Sequence, residues 1–148
     1  MEVYLLNLLF ILISLFPNLL ILFFPPKDIS VQPLSKKEKI LELLEKVGQM
    51  GIFIIPIFYP VSYNLYLIIG LICCAVIYYI GWIRFFINDR KYSYLFASLC
   101  FIPIPLAISP IVYFLLLSLL TESYLLMIFT LLFSIGHIPI SYKNINRR

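Results

Sequence analysis

The chain has 148 residues, of which 63% are hydrophobic and only 12% charged, and its mean hydropathy is +1.05. A water-soluble domain carries about 25% charged residues, so this composition excludes an ordinary soluble domain and makes lipid the expected solvent. The formal charge of +4 is no nucleic-acid signature, because the basic residues edge apolar runs and form no binding stripe; membrane lipids are the expected partners and nucleic acid is not.

All eleven Lys and Arg fall in three clusters. These are Lys27, Lys36, Lys37, Lys39 and Lys46; then Arg84, Arg90 and Lys91; then Lys143, Arg147 and Arg148. The runs between them are long enough to be membrane spans, each needing about 20 helical residues.

The first expected span covers 3–24. Glu2 and the lack of a basic residue before it argue against a secretory signal, so the span is expected to be retained. Pro17 lies inside it, where it removes a donor and crowds the Ile13 carbonyl, predicting a kink. Pro25 and Pro26 stop the helix.

A polar segment follows. Ser35 with Glu38 matches a capping box, and Ile40, Leu43, Leu44 and Val47 recur at helical spacing. The pattern predicts a short amphipathic cytoplasmic helix over 35–46 lying on the membrane face, or else a solvated extension of the next span.

The uncharged run 47–83 would measure about 55 Å as one helix, more than one crossing needs. Turn residues at 59–64 mark the break. Spans are therefore expected at 47–61, interrupted by Pro56, and at 65–87; the short 47–61 segment is read as either a tilted span or half of a re-entrant hairpin. A fourth span is expected over 95–120, carrying Pro103, Pro105 and Pro110, and a fifth over 123–142, carrying Gly136 and Pro139. The expected fold is an all-α integral membrane protein: one transmembrane domain over 1–148, a bundle of about five transmembrane helices plus the amphipathic helix.

With the loop after the first span cytoplasmic, five spans place every Lys and Arg inside, as the positive-inside rule asks. The N-terminus and the turn at Glu122 are then outside and the C-terminus is cytoplasmic. Tyr4, Tyr59, Tyr63, Tyr66 and Tyr124 fall at the outer boundary, and Trp82, Tyr92, Tyr94 and Tyr142 at the inner one, where amphipathic rings anchor. Tyr78, Tyr79 and Tyr113 lie nearer the middle. The abundance of Ile and Leu over Ala suggests an AT-rich bacterial genome, hence a cytoplasmic (inner) membrane.

No Asp, Glu, Lys or Arg falls near the centre of an expected span, which speaks against ion-coupled transport. Cys73, Cys74 and Cys100 match no disulfide framework and no metal spacing; packing is their expected role. Neither a metal nor a cofactor is implied.

Three constellations are candidates for chemistry. Pro103 and Pro105, with Pro110, break the fourth span, and broken helices line binding sites in transporters. Ser109 and Tyr113 join them as candidate ligand contacts; the plainer reading is a kink whose carbonyls Ser109 or Ser98 satisfy. His137, the only histidine, and Cys100 are expected at similar depth, where a Cys–His pair would be nucleophile and base; the plainer reading is a hydrogen-bonded packing histidine. His137 with Arg84, Arg90, Lys91, Tyr92 and Tyr94 would alternatively form a pocket for an anionic lipid headgroup, against simple positive-inside anchoring. Gly70, Cys74 and Gly81 share one helix face suited to close packing, and Gly48 and Gly51 suit the same role.

The expected function is that of a small multi-pass membrane protein without evident catalytic machinery. It is read first as an accessory or interaction subunit with a membrane-protein partner or self-association. The alternatives are a small carrier or lipid-binding protein using the proline-broken fourth span, and an intramembrane Cys/His enzyme. Immunity to a membrane-active peptide is a further reading that no residue supports directly.

Overall fold

The computed structural model describes residues 4–28, 33 and 35–145. Glu2, Val3 (with which the expected 3–24 span begins), Arg147 and Arg148 lie outside the described residues. Those described form five α-helices and two 3-10 helices, with no strand among them.

α1 (Leu5–Phe23) buries Asn7, Ile11, Ser14 and Pro17, a single helix face. The carbonyl that Pro17 deprives of its helical partner belongs to Ile13, and Tyr79 donates to it at 2.9 Å. α2 (Lys36–Ile54) starts on the expected capping box: the Glu38 N–H donates to Ser35 Oγ and the Ser35 N–H to Glu38 Oε2. Pro56 has no N–H with which to extend the helix, and the chain tightens there into a 3-10 helix, Ile55–Phe58. α3 (Leu65–Ile87) follows the turn at 59–64, its first amides accepted by Asn64 Oδ1. A second 3-10 helix, Tyr92–Phe96, and a loop lead to α4 (Pro105–Leu120). α5 (Tyr124–Ile145) completes the bundle.

The helices run end to end in alternation. Tyr4 donates to Ile57 O, and Ser62 bonds Leu120 O, at the end that also holds the turn at Glu122. Lys27 bridges to Arg90 and Tyr92 at the other end, and Lys143 pairs with Glu38. α2 with its 3-10 extension thus traverses the whole bundle, antiparallel to α5: Gly136 meets the backbone of Leu41 and Glu45, and Gly48 meets that of Phe133. α3 and α4 are antiparallel too, with Gly70 against Leu116 and Gly81 against Leu106.

Polarity is arranged apolar outside and polar within. Leu12, Phe16, Ile72, Val76, Leu131 and Ile135 are exposed, while Asn7, Ser14, Ser109, Ser118, Thr130 and Ser141 are buried. Lipid tolerates such an exterior, and interhelical polar groups then find partners inside. α1, α3 and α5 are long and apolar enough to cross a membrane; α4, at 16 residues, is shorter. The shared core is built around Ile52, Leu71, Phe114, Leu117, Leu126 and Phe133.

Three expectations change. The amphipathic 35–46 segment is no separate surface helix; it is the first half of α2, packed along α5. Its apolar stripe faces outward, with Ile40 and Leu43 exposed, because glycines and the Glu38 side chain occupy the face toward α5. The fourth helix does not begin at 95. Pro105 stands in its first turn, where the missing N–H costs nothing and φ is already helical, and Pro103 disfavours helix in the residue before it. Trp82 is no boundary anchor: it is 5% exposed, packed among Tyr78, Phe85 and Phe86.

A polar cavity within the helix bundle

Ser14 and Asn18 interrupt the apolar α1 one turn apart, and both reach the bundle interior. Glu45 and Gln49 have the same spacing on α2, on the face opposite its apolar stripe. With Tyr78 of α3 and His137 and Ser141 of α5, these residues form the polar wall of a cavity of about 190 Å³. Phe53, Trp82, Phe96, Phe114 and Phe133 contribute aromatic surface, and no Lys or Arg among the described residues lines it.

Glu45 and His137 are its chemical centre. Gly136 lets the α5 backbone rest directly on α2, which brings the neighbouring His137 Nδ1 to 2.6 Å from Glu45 Oε1. An ionised carboxylate only accepts, so Nδ1 carries the proton in that pairing, and in the neutral imidazole Nε2 is then the acceptor. The imidazole stacks on Phe133 at 4.7 Å, which holds its plane. Glu45 and His137 side chains are 23% and 24% exposed, so the pair is accessible. On the facing wall, Asn18 Nδ2 donates to the Tyr78 hydroxyl at 2.9 Å. The buried Trp82 Nε1 lies beside that hydroxyl without completing a hydrogen bond.

The sequence-derived candidates scatter. Of Pro103, Pro105, Ser109, Tyr113, Arg84, Cys100 and His137, only His137 lines this cavity. Ser109 and Tyr113 border a smaller void of about 10 Å³ with Pro110 and Ser14, at the lower limit for one water. Ser109 donates to Pro105 O at 2.7 Å and Tyr113 to Phe10 O at 2.9 Å. Pro105 is buried at the start of α4 and Pro103 is exposed before it. Arg84 donates to the carbonyls of Ser98 and Ala97 at 2.6 and 2.5 Å, pinning the loop before α4. It does not line the cavity that His137 lines. Arg90 lies over the Phe24 ring at 5.9 Å, so the basic residues form no ring around the histidine.

Cys100 is exposed in a turn, at φ 50°, and has no part in the cavity wall. No hydrogen bond joins it to His137, whose Nδ1 is taken by Glu45.

Glu45, Gln49, Ser14, Asn18 and Tyr78 were missed as site residues. Glu45 falls in the 35–46 segment expected on the membrane face, yet Glu38, Glu45 and Gln49 share the α2 face toward α5. Asn7, Ser14 and Asn18 were the stronger signal, since polar residues repeating along one face of an apolar span mark the side that meets other helices. Among the described residues, no three His, Cys, Asp or Glu come together as metal ligands; the Glu45–His137 pair alone offers two donors. Its available chemistry is to accept hydrogen bonds, to balance a positive charge and to exchange a proton between carboxylate and imidazole.

No protein-family model, no curated protein and no solved structure matches the chain.

Proposed function

We propose that the protein is a five-span resident of a bacterial cytoplasmic membrane that holds a small polar ligand between its helices, as a carrier or binding protein. The single observation carrying this reading is the cavity of about 190 Å³, whose polar wall is drawn from α1, α2, α3 and α5. Polar groups inside a membrane bundle are costly and tend to mark ligand or ion pathways. The orientation proposed with it is N-terminus outside and C-terminus cytoplasmic, because Lys27, Arg84, Arg90, Lys91 and Lys143 gather at one end.

Native mass spectrometry of the protein extracted gently from its membrane tests the reading. A retained small molecule is expected, and Ser14→Phe, which fills the cavity, should abolish its retention. A ligand-free chain in both cases overturns the reading.

A second reading, an accessory subunit, is favoured by the outward stripe of α2. Ile40, Leu43, Val47, Met50 and Ile54 are exposed along one face. A stoichiometric protein partner in the same experiment, lost on Leu43→Glu, would support it. The geometry lends no support to the Cys100–His137 enzyme, whose two residues do not meet.

A further inference from the structure

We propose that the cavity takes a small organic cation, an alkylammonium group, with Glu45 as its counter-ion. The inference rests on the ligand-holding function above and specifies the ligand's charge.

Among the described residues, the cavity wall contains one carboxylate and no Lys or Arg. An anionic ligand would face Glu45 as a like charge. An apolar one would strip water from the carboxylate and leave it one partner, a costly burial. An ammonium group instead brings the charge the wall lacks. Its hydrogen-bonding character is complementary as well, since an ammonium only donates. With Glu45 Oε1 engaged by His137 Nδ1, the second carboxylate oxygen remains as an acceptor, and the oxygens of Gln49 and Ser141 stand in the same wall. Phe53, Tyr78, Trp82 and Phe133 supply aromatic surface, and ring faces attract ammonium groups within about 6 Å, most strongly where water is excluded. At about 190 Å³ the cavity is far larger than the ~10–15 Å³ that one water needs, a space suited to a small amine such as choline or ethanolamine. The same chemistry is carried by a free amine and by the headgroup of a lipid.

Trp82 is the only tryptophan in the chain and lines the cavity, so its emission reports occupancy directly. The full chain is placed in nanodiscs of phosphatidylglycerol, which carries no amine, and titrated with choline, with ethanolamine and with the uncharged carbon isostere of choline. The expected result is a saturable emission shift with the two amines, with choline binding at least about tenfold tighter than its isostere. Glu45→Gln should lose most of that preference, and Glu45→Asp should retain it. Should Glu45→Gln fail to fold, the choline–isostere comparison on the unaltered protein decides alone. Equal binding of choline and the isostere overturns the cation proposal but leaves the ligand-holding function standing. A shift with neither, in a protein shown to be folded, overturns the cation proposal, and the retained-ligand measurement then decides whether the ligand-holding function stands. Amine binding that persists unchanged in folded Glu45→Gln refutes the counter-ion role. Repeating the titration in phosphatidylcholine nanodiscs separates the sources: emission already shifted and insensitive to free choline identifies a lipid headgroup, whereas an unchanged titration identifies a free amine. Either outcome supports the cation proposal.

Discussion

Pro17 removes the donor that would have met the Ile13 carbonyl, and the Tyr79 hydroxyl replaces it at 2.9 Å. Tyr113 makes a similar bond to Phe10 O at 2.9 Å. Of the three mid-span tyrosines that fit neither boundary belt, Tyr79 and Tyr113 are therefore interhelical donors to α1, while Tyr78 accepts from Asn18 of α1. Hydrogen bonds of this kind in membrane bundles contribute about 0.6 kcal/mol on average and up to about 1.7. Tyr79→Phe should cost about 1 kcal/mol, and less in a Pro17→Ala background, where residue 17 can serve the same carbonyl. A double-mutant cycle in a denaturant titration checks this, and equal costs in both backgrounds would refute it. At the start of α2, the Lys143 ammonium, together with the two Ser35 hydrogen bonds, holds the Glu38 carboxyl down at about 2 from an ordinary 4.5. A depressed folded-state value stabilises the fold above the unfolded value and loses that contribution as pH falls. The α2–α5 contact should therefore weaken between about pH 4.5 and about pH 2. Lys143→Met should flatten this part of the pH dependence of the unfolding midpoint; an unaltered slope would count against the assignment.

α2 shows how an element differs from its local pattern. Its N-terminus was legible, because the Ser35–Glu38 capping box is a short-range device. So were the turn at 59–64 and the stopping power of Pro56. Which face packs was not legible, because the periodicity of Ile40, Leu43 and Val47 marks an apolar face without saying whether protein or lipid covers it. In water that stripe would turn inward; here Gly48 and Gly136 decide the outcome by allowing backbone contact on the opposite side. A Cβ at Gly48 would collide with the backbone of Phe133, and one at Gly136 with that of Leu41 and Glu45. Since backbone yields little, Gly48→Ala and Gly136→Ala should each destabilise by about 1–3 kcal/mol, the usual range for overpacking. Gly81→Ala should cost less, because its obstacle is the Leu106 side chain, which can shift. Thermal unfolding of the three variants in one detergent tests the ranking. Gly136→Ala should also disturb the cavity, because the Glu45–His137 pair depends on the same close approach.

At the scale of the whole molecule, the described basic side chains of Lys27, Arg84, Arg90 and Lys91 gather at one end, while Ser62 and Glu122 lie at the other. In a background with Cys73, Cys74 and Cys100 replaced by serine, Ser62→Cys and Glu122→Cys should label from the outer face and Ser35→Cys from the cytoplasmic face. Labelling of Ser62→Cys from the cytoplasmic face would replace the proposed second crossing with a re-entrant hairpin. The exterior agrees with a lipid setting: residues such as Phe16, Ile72 and Leu131 are exposed while Asn7 and Thr130 are fully buried.

Composition and the spacing of charge were enough to indicate a helical chain suited to lipid, because both follow from the thickness and polarity of a bilayer and require no knowledge of neighbours. Proline and capping residues likewise announced local starts, stops and a kink. The cavity was beyond their reach. Ser14, Asn18, Glu45, Tyr78 and His137 are far apart along the chain, and only the packing of four helices makes them one wall. Cys100 and His137, matched by expected depth, were kept apart by the same packing: depth is one coordinate, whereas a reacting pair must also agree in the two that tertiary structure sets.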